Sequence, residues 1–182
     1  MNNRVEFLII HTEAAPVVTE QHRFQVVNDY HKSLGFPSSS FNFYCGYHYF
    51  CERDGIEIQA RLDTDEGAHV KGMNFNSLAY GLAGNGDLKP ITFAQEIKLK
   101  IWINEKMKKY GVPREKIKGH RSFTTLKTCP GKFISDEYIQ SLIEKPQIPK
   151  PPEPPSWFRS FLLSLVSFLN NYLLGGFRKK KL

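Results

Sequence analysis

A proline-rich run divides this chain into two parts and limits the compact fold to the first of them. Six of the ten residues from Pro146 to Pro155 are proline, which favours a stiff polyproline-type spacer and cannot continue a helix. The sequence therefore predicts a folded domain over residues 1–145, a linker over 146–156 and a separate tail over 157–182. One domain accounts for the first region, since about 100 to 200 residues per domain is usual.

The tail joins an apolar stretch to a basic end. Leucine and phenylalanine dominate the segment from Trp157 to Leu174, and polar residues recur in it every three or four positions, as on one side of a helix. A membrane-spanning helix needs about 20 apolar residues, whereas this segment has 18 residues that include Arg159. We therefore favour an amphipathic helix at an anionic membrane surface over a spanning helix. Packing against the domain or self-association is the remaining alternative.

The formal net charge of +7 is concentrated in this tail. The tail holds five basic and no acidic residues, while the 20 basic and 18 acidic residues before it nearly balance. The domain has no basic stripe with interleaved aromatic residues, so we expect no nucleic-acid partner. The first residues, Met1-Asn2-Asn3-Arg4, do not have the pattern of a secretory signal peptide, and we expect synthesis in the cytoplasm.

Hydrophobic patterns within residues 1–145 predict several strands. The apolar run Val5–Ile10 is the first. Tyr47–Glu52 and Ile56–Ala60 flank Asp54-Gly55, a dipeptide that favours a hairpin turn. Leu78–Leu82 is a further strand.

Helices alternate with these strands. We expect a first helix capped by Thr19 and ended by Gly35, and a second that begins in a capping box of Thr92 and Gln95 and ends at Gly111. A third starts near Ser135. The apolar positions that recur at helical spacing are Phe24, Val27, His31 and Leu34 in the first helix and Phe93, Ile97, Ile101 and Met107 in the second. Together the elements predict an α/β fold with a central mixed β-sheet flanked by helices.

Three residues have the right chemistry to hold one zinc ion. His11 closes the first strand, and His120 and Cys129 lie nine residues apart in a turn-rich stretch. Two imidazoles and a thiolate are ligands that zinc prefers, and three protein ligands leave a fourth position open for water or substrate, as in catalytic sites. A histidine at a strand end or a lone cysteine is more often a structural residue, so these three residues alone do not decide the question.

Short motifs around these residues follow one another in a recognisable order. They are Gly46-Tyr47-His48-Tyr49-Phe50, Arg53-Asp54-Gly55, Gly67-Ala68-His69-Val70-Lys71-Gly72, Asn76-Ser77, Gly84-Asn85, Gly119-His120-Arg121 and Cys129-Pro130-Gly131. In this order they resemble the zinc-dependent N-acetylmuramoyl-L-alanine amidases, the family that includes phage lysozyme-type amidases and peptidoglycan recognition proteins. The resemblance covers about residues 4–144.

The resemblance implies a zinc hydrolase that cleaves the amide bond between N-acetylmuramic acid and the L-alanine of the peptidoglycan stem peptide. It implies that His11, His120 and Cys129 are the zinc ligands. In the resembling phage amidases the positions of Tyr47 and Lys127 complete the active site. We expect Lys127 to stabilise the oxyanion and Tyr47 to orient the water or the substrate carbonyl. From residue type alone, Tyr47 is a core residue and Lys127 a solvated loop charge.

Substrate contacts are implied for three further residues, His69, His48 and Asn76. The chain departs from many relatives directly after the first proposed ligand, where Thr12-Glu13-Ala14-Ala15-Pro16 stands in place of a second histidine or a small residue. Glu13 is either a group that supports the metal site or a loop charge, and we favour the loop charge.

The setting that fits these features is a phage or prophage endolysin that acts on peptidoglycan at the cell wall. An amidase that recycles soluble muropeptides in the cytoplasm is a second enzymatic setting, which the tail disfavours. The alternative of a different class is a peptidoglycan-binding module without catalysis. The presence of His11, His120 and Cys129 together favours the enzyme.

Overall fold

The computed structural model describes residues 5–143 and, beyond them, Phe158, Ser164, Leu165 and Leu169. The chain divides into two compact units, residues 1–145 and 146–182. The predicted linker and nearly all of the predicted tail helix lie outside the described residues, so both stay predictions. Within the described part of the chain, no helix has the length and apolar character needed to cross a bilayer.

A five-stranded mixed sheet forms the centre of the first unit. Its strands are β1 (Phe7–Thr12), β2 (Tyr49–Cys51), β3 (Glu57–Gln59), β4 (Ser77–Leu82) and β5 (Ile117–Gly119). They lie in the order β3-β2-β4-β1-β5. Strand β3 runs antiparallel to β2, and the other neighbouring pairs are parallel. The predicted α/β fold with a central mixed sheet is confirmed.

The strands in the middle of the sheet are apolar because both of their faces are buried. All six residues of β4 and five of the six in β1 are buried, as expected for parallel strands that are covered on both faces. Strand β5 was not predicted from the sequence. It is three residues long and contributes one apolar side chain, Ile117, which is too little for a periodic pattern.

Three helices cover the sheet, and local signals fix the second of them. They are α1 (Phe24–Ser33), α2 (Phe93–Tyr110) and α3 (Asp136–Ile143). The predicted capping box at the start of α2 is confirmed: Thr92 Oγ1 accepts from the Gln95 N–H at 3.1 Å, and Gln95 Oε1 accepts from the Thr92 N–H at 3.1 Å. The helix ends at Gly111, whose φ of +67° suits glycine.

The predicted cap of α1 is wrong. The helix begins at Phe24, and no side chain within it or just before it caps its first turn. The carboxylate of Glu52, from the end of the β2 segment, accepts from the N–H groups of Arg23 and Phe24, in each case at 2.8 Å. A distant residue therefore supplies the acceptor that the prediction assigned to Thr19.

Three of the four apolar positions named for α2 lie on its exposed side, and Met107 packs against the core. The side chains of Phe93, Ile97 and Ile101 are 78%, 41% and 49% exposed. Leu99, Trp102 and Ile103 face the core instead. Both sets recur at helical spacing, so the periodicity did not distinguish the two faces.

The two faces of the sheet have different roles. Leu8 and Ile10 of β1 pack with residues of α2 and α3 in the larger core cluster. Residues alternate between faces along a strand, so His11 points to the opposite face, where Val27 of α1 packs near Tyr47. The first proposed metal ligand therefore lies on the α1 side of the sheet, at the carboxyl end of β1.

Candidate active site

Two of the proposed ligands lie at the carboxyl ends of neighbouring parallel strands. Ile10 of β1 pairs with Gly119 of β5, so His11 and His120 come next to each other at the carboxyl edge of the sheet. Their ring centroids are 4.6 Å apart. Ligands in open α/β sheets bind outside this edge. Strand pairing thus explains how residues more than one hundred positions apart in the sequence reach one site.

The loop after β5 brings the thiol of Cys129 to the same place. Its Sγ lies 3.8 Å from His11 Nδ1 and accepts from the Thr12 N–H at 3.4 Å. The backbone carbonyl of Cys129 accepts from the Arg121 N–H at 2.7 Å, which ties the loop back to the segment that carries His120. Hydrogen bonds from both sides therefore hold the thiol over the end of β1.

The ligand atoms of His11, His120 and Cys129 all lie within 4.8 Å of one another. Their donor set, two imidazole nitrogens and one sulfur, fits a zinc site with one position left for water or substrate. Burial, with smaller effects from His69, His120 and Lys127, lowers the pKa of His11 well below its usual range. Burial and the Lys127 cation lower the pKa of His120 to about 4. Both imidazoles are therefore neutral near pH 7, as metal binding requires.

The pKa of the Cys129 thiol is shifted in the opposite direction, upward. Burial raises the pKa of Cys129 to about 11, although the Thr12 N–H and the nearby cations favour the thiolate. A buried thiol loses its proton readily when a metal ion is next to it, because the cation compensates the negative charge. The site is therefore suited to a thiolate that is stabilised by a divalent cation.

Tyr47 lies against the first proposed ligand. Its ring centroid is 4.9 Å from that of His11, and burial raises the pKa of its hydroxyl well above the usual range, so the phenol is protonated at neutral pH. The ring occupies space that Gly81 of β4 leaves free. The sequence reasoning missed Gly81, although a glycine inside a buried strand is a recognised signal of a close approach.

Lys127 is exposed and lies on the rim of a cleft of about 770 Å³ that contains the site. Its charge lowers the pKa of both His11 and His120, which places a cation near the three proposed ligands. Side chains of α1 form the other wall of the cleft. The residues that line the cleft include His11, Glu13, Arg23, Tyr47, His69 and Lys127.

Glu13 is not a loop charge, and that prediction is wrong. Its side chain is 4% exposed, and its carboxylate accepts from Arg23 Nε at 3.0 Å and from the Gly84 N–H at 2.9 Å. Burial raises the pKa of Glu13, which these hydrogen bonds oppose. The ion pair of Glu13 and Arg23 joins the loop after β1 to the start of α1. No local sequence pattern predicts it.

Arg23 lies on the wall of the cleft and is bound to Glu13 by one of its three nitrogens. Within residues 5–143, its two terminal nitrogens make no hydrogen bond, and the side chain is 22% exposed. The guanidinium therefore keeps donors that a bound ligand can use. The sequence reasoning did not identify Arg23.

Among the three residues implied as substrate contacts, the structure places His69 at the site. Its Nδ1 lies 3.2 Å from His11 Nε2, and it lines the cleft. Burial, followed by the effect of His48, lowers the pKa of His69 well below its usual range, so this ring is neutral.

His48 and Asn76 are not among the residues that line the cleft, and their assignment to substrate binding stays a prediction. The ring of His48 is fully buried and both nitrogens bond to backbone, Nδ1 with the Ala79 N–H at 3.1 Å and Nε2 with the Asp65 carbonyl at 3.0 Å. Asn76 precedes Ser77, which pairs with Phe7 at the start of β1, and so lies at the opposite edge of the sheet from His11.

Comparison with known proteins identifies the family of the chain. The sequence signature of the N-acetylmuramoyl-L-alanine amidases matches residues 1–132, and the chain belongs to this family. No curated protein sequence matches the chain.

Solved structures share the fold at low sequence identity. The N-acetylmuramoyl-L-alanine amidase LysC from Clostridium intestinale is 22% identical with a TM-score of 0.64, and the match covers 76% of this chain and 84% of LysC. The Ph2119 endolysin of a Thermus scotoductus bacteriophage is 22% identical with a TM-score of 0.63, covering 80% and 88%. A Drosophila PGRP-LB mutant in complex with tracheal cytotoxin is 22% identical with a TM-score of 0.63, covering 75% and 80%.

Proposed function

We propose that this protein is a zinc-dependent peptidoglycan hydrolase that cleaves the amide bond between N-acetylmuramic acid and L-alanine. The observation that carries the proposal is the group formed by His11, His120 and Cys129 at the carboxyl edge of the sheet, with ligand atoms within 4.8 Å of one another. Membership of the amidase family supports the choice of substrate. The three residues would hold zinc, which acts as a Lewis acid and lowers the pKa of water at its open position.

Lys127 and Tyr47 complete the proposed chemistry from the protein side. The carbonyl oxygen of an amide gains negative charge when water adds to its carbon, and a cation fixed nearby stabilises that charge. Lys127 lies on the rim of the cleft that contains the three ligands and is the residue we assign to this role. The protonated hydroxyl of Tyr47 would orient the water or the carbonyl by donating a hydrogen bond.

Arg23 gives the cleft a second group that can recognise the substrate. Stem peptides carry carboxylates, and a guanidinium binds a carboxylate through paired N–H groups. Glu13 holds Arg23 by its Nε, so the terminal nitrogens would bind a stem-peptide carboxylate. A peptidoglycan fragment as the ligand agrees with the complex of PGRP-LB and tracheal cytotoxin.

The setting we infer is a phage or prophage endolysin. Similarity to the Ph2119 endolysin favours it, and so does the composition of the tail, whose apolar stretch ends in Arg178-Lys179-Lys180-Lys181. An apolar segment with adjacent basic residues is suited to an anionic membrane surface. We propose that the tail binds such a surface and concentrates the enzyme near the wall.

Digestion of purified peptidoglycan tests the proposed activity. Mass spectrometry of the products should show stem peptides with a free L-alanine amino group and glycans with a free lactyl carboxylate. Cys129→Ser should lose zinc and activity together, because a hydroxyl is a much weaker zinc ligand than a thiolate. A peptidoglycan-binding module would sediment with the wall material and release no fragments. Full activity of metal-free Cys129→Ser protein would contradict the zinc mechanism.

A further inference from the structure

A chain of hydrogen bonds leads from the backbone to the first proposed ligand. Ser77 Oγ donates to the carbonyl of Met73 at 2.6 Å. The same Oγ lies 3.3 Å from His69 Nε2, and His69 Nδ1 lies 3.2 Å from His11 Nε2. Three side chains therefore connect one fixed carbonyl to the metal centre.

The direction of each bond follows from the first. Ser77 has one hydroxyl proton, which it donates in the hydrogen bond to the Met73 carbonyl. Ser77 Oγ must therefore accept from His69 Nε2–H. A neutral imidazole carries one N–H, which leaves His69 Nδ1 as an acceptor. His11 must then donate through Nε2–H. Its Nδ1, the nitrogen 3.8 Å from Cys129 Sγ, is left with a free lone pair.

We propose that His69 is a positioning residue that fixes the tautomer and the ring orientation of His11, so that His11 binds the metal through Nδ1. The ligating nitrogen of a histidine is generally set by the hydrogen bond that its other nitrogen makes, and the partner raises the affinity for the metal. Here the partner is a neutral imidazole, where a carboxylate or a backbone carbonyl is more common. The proposal rests on the metal centre put forward under the proposed function.

The surroundings of His69 hold it in the required place. The backbone N–H groups of His69 and Val70 both donate to Asn74 Oδ1 at 2.9 Å, which holds the loop in place. A methyl group on Gly67 would lie 2.4 Å from His69 Cδ2, so glycine there leaves room for the ring. These contacts orient His69 toward His11 without any bound substrate. The direct substrate contact that the family resemblance implies for His69 would not need these contacts.

Zinc affinity of the full chain tests the proposal without any peptidoglycan. Competition with a chromophoric chelator should show that His69→Ala binds zinc about 10 to 100 times more weakly than the wild type, the usual effect of losing such a partner. His69→Gln should recover most of the affinity, since its carbonyl can accept from His11. His31→Gln is the matched control, because His31 lines the same cleft while its Nδ1 bonds to the Gly46 N–H.

Nitrogen-15 spectra of histidine in the zinc-loaded wild type give a second readout. The expected result is a His11 that carries a proton on Nε2 and the metal on Nδ1. A metal on Nε2 would overturn the proposal even if His69→Ala failed to fold. Wild-type zinc affinity in folded His69→Ala would overturn it too, and His69 would return to the substrate-binding role. Neither readout depends on amidase activity, so a protein that binds zinc but cleaves nothing refutes the proposed function alone.

Discussion

A methyl group added to Gly81 would lie 2.3 Å from Cδ2 of Tyr47. Gly81 pairs with His11 across β1 and β4, so the tyrosine ring covers the strand directly beside the first proposed ligand. No heavy atom can occupy that position without moving the ring, because protein interiors are close-packed. The absence of a side chain at Gly81 therefore lets the ring of Tyr47 lie against the first proposed ligand.

Gly81→Ala should disturb the site through this contact. We expect the free energy of unfolding to fall by about 1 to 3 kcal/mol, the usual cost of overpacking, and kcat to fall because the hydroxyl of Tyr47 moves. Denaturant unfolding and steady-state kinetics measure the two effects. The double variant Gly81→Ala with Tyr47→Ala provides the control. If the clash is the cause, adding Gly81→Ala to Tyr47→Ala should cost little stability, whereas additive losses would contradict it.

Lys127→Ala should separate chemistry from metal binding. We expect kcat to fall by about 100-fold or more, the effect of deleting one donor to an oxyanion, while zinc content stays at the wild-type level. Lys132→Ala removes a cation from the same loop and is the matched control, for which we expect kcat to be unchanged. A rise in KM at constant kcat would instead assign Lys127 to substrate recognition.

The fold could be predicted where its signals are local. The limits of α2 depend on Thr92, Gln95 and Gly111, which lie within or next to the helix, and the prediction found all three. The start of α1 depends on Glu52, which is 28 residues from Phe24, and no short-range pattern reveals such a contact. The same limit applies to β5, which exists because it pairs with β1.

In the candidate site, too, some residues could be identified from the sequence and others depend on long-range contacts. His11, His120 and Cys129 could be identified as a group because their residue types are unusual in combination and their motifs occur in a family order. Glu13 and Arg23 are common residue types ten positions apart, and their pairing depends on how α1 lies against the loop after β1. The hydrogen bond between His69 and His11 likewise joins residues 58 positions apart. Such relationships depend on the folded structure and not on local sequence.

Arg23→Lys should test recognition of the stem-peptide carboxylate. Lysine keeps the charge next to Glu13 but lacks the planar fork of donors, so the two are not equivalent at such a site. With muropeptides that differ in whether the glutamate carboxylate is free or amidated, wild-type KM should be lower for the free acid. The variant should lose that preference, by about tenfold for one charged hydrogen bond, with kcat unchanged. An equal rise in KM for both substrates would indicate a structural role.

Asp63 should make stability depend on pH below the neutral range. Burial alone would raise its pKa, but hydrogen bonds from Lys106, Lys109 and Tyr110 outweigh burial and hold the pKa of this carboxyl well below its usual range. Because the folded pKa is depressed, the stabilisation is present above the unfolded pKa of about 4 and is lost as the pH falls further.

Asp63→Asn should remove that pH dependence and destabilise the fold at pH 7. Lys106 is 7% exposed, and losing the partner of a buried charge costs about 3 to 5 kcal/mol. Lys109→Ala is the matched control, since Lys109 bonds to the same carboxylate but its side chain is 58% exposed. Its loss should cost about 1 kcal/mol or less. Urea unfolding between pH 3 and pH 7 gives the free energy of unfolding of all three proteins. If this free energy changes equally with pH in the wild type and in Asp63→Asn, Asp63 is not the cause of the pH dependence.

The basic end of the tail should control binding to anionic membranes. Changing Arg178, Lys179, Lys180 and Lys181 to Gln in the full chain removes four charges next to the apolar stretch, each contributing about 1 kcal/mol near an anionic surface. Co-sedimentation with vesicles that contain anionic lipid should therefore fall steeply for this variant, and added salt should weaken wild-type binding through screening. The control changes four exposed lysines of the domain, Lys71, Lys89, Lys98 and Lys108, to Gln and gives the same change in formal net charge. If the two variants lose binding equally, net charge rather than the tail is responsible. If neither loses binding, the tail has no electrostatic role at the membrane, and packing or self-association becomes the better explanation of its apolar residues.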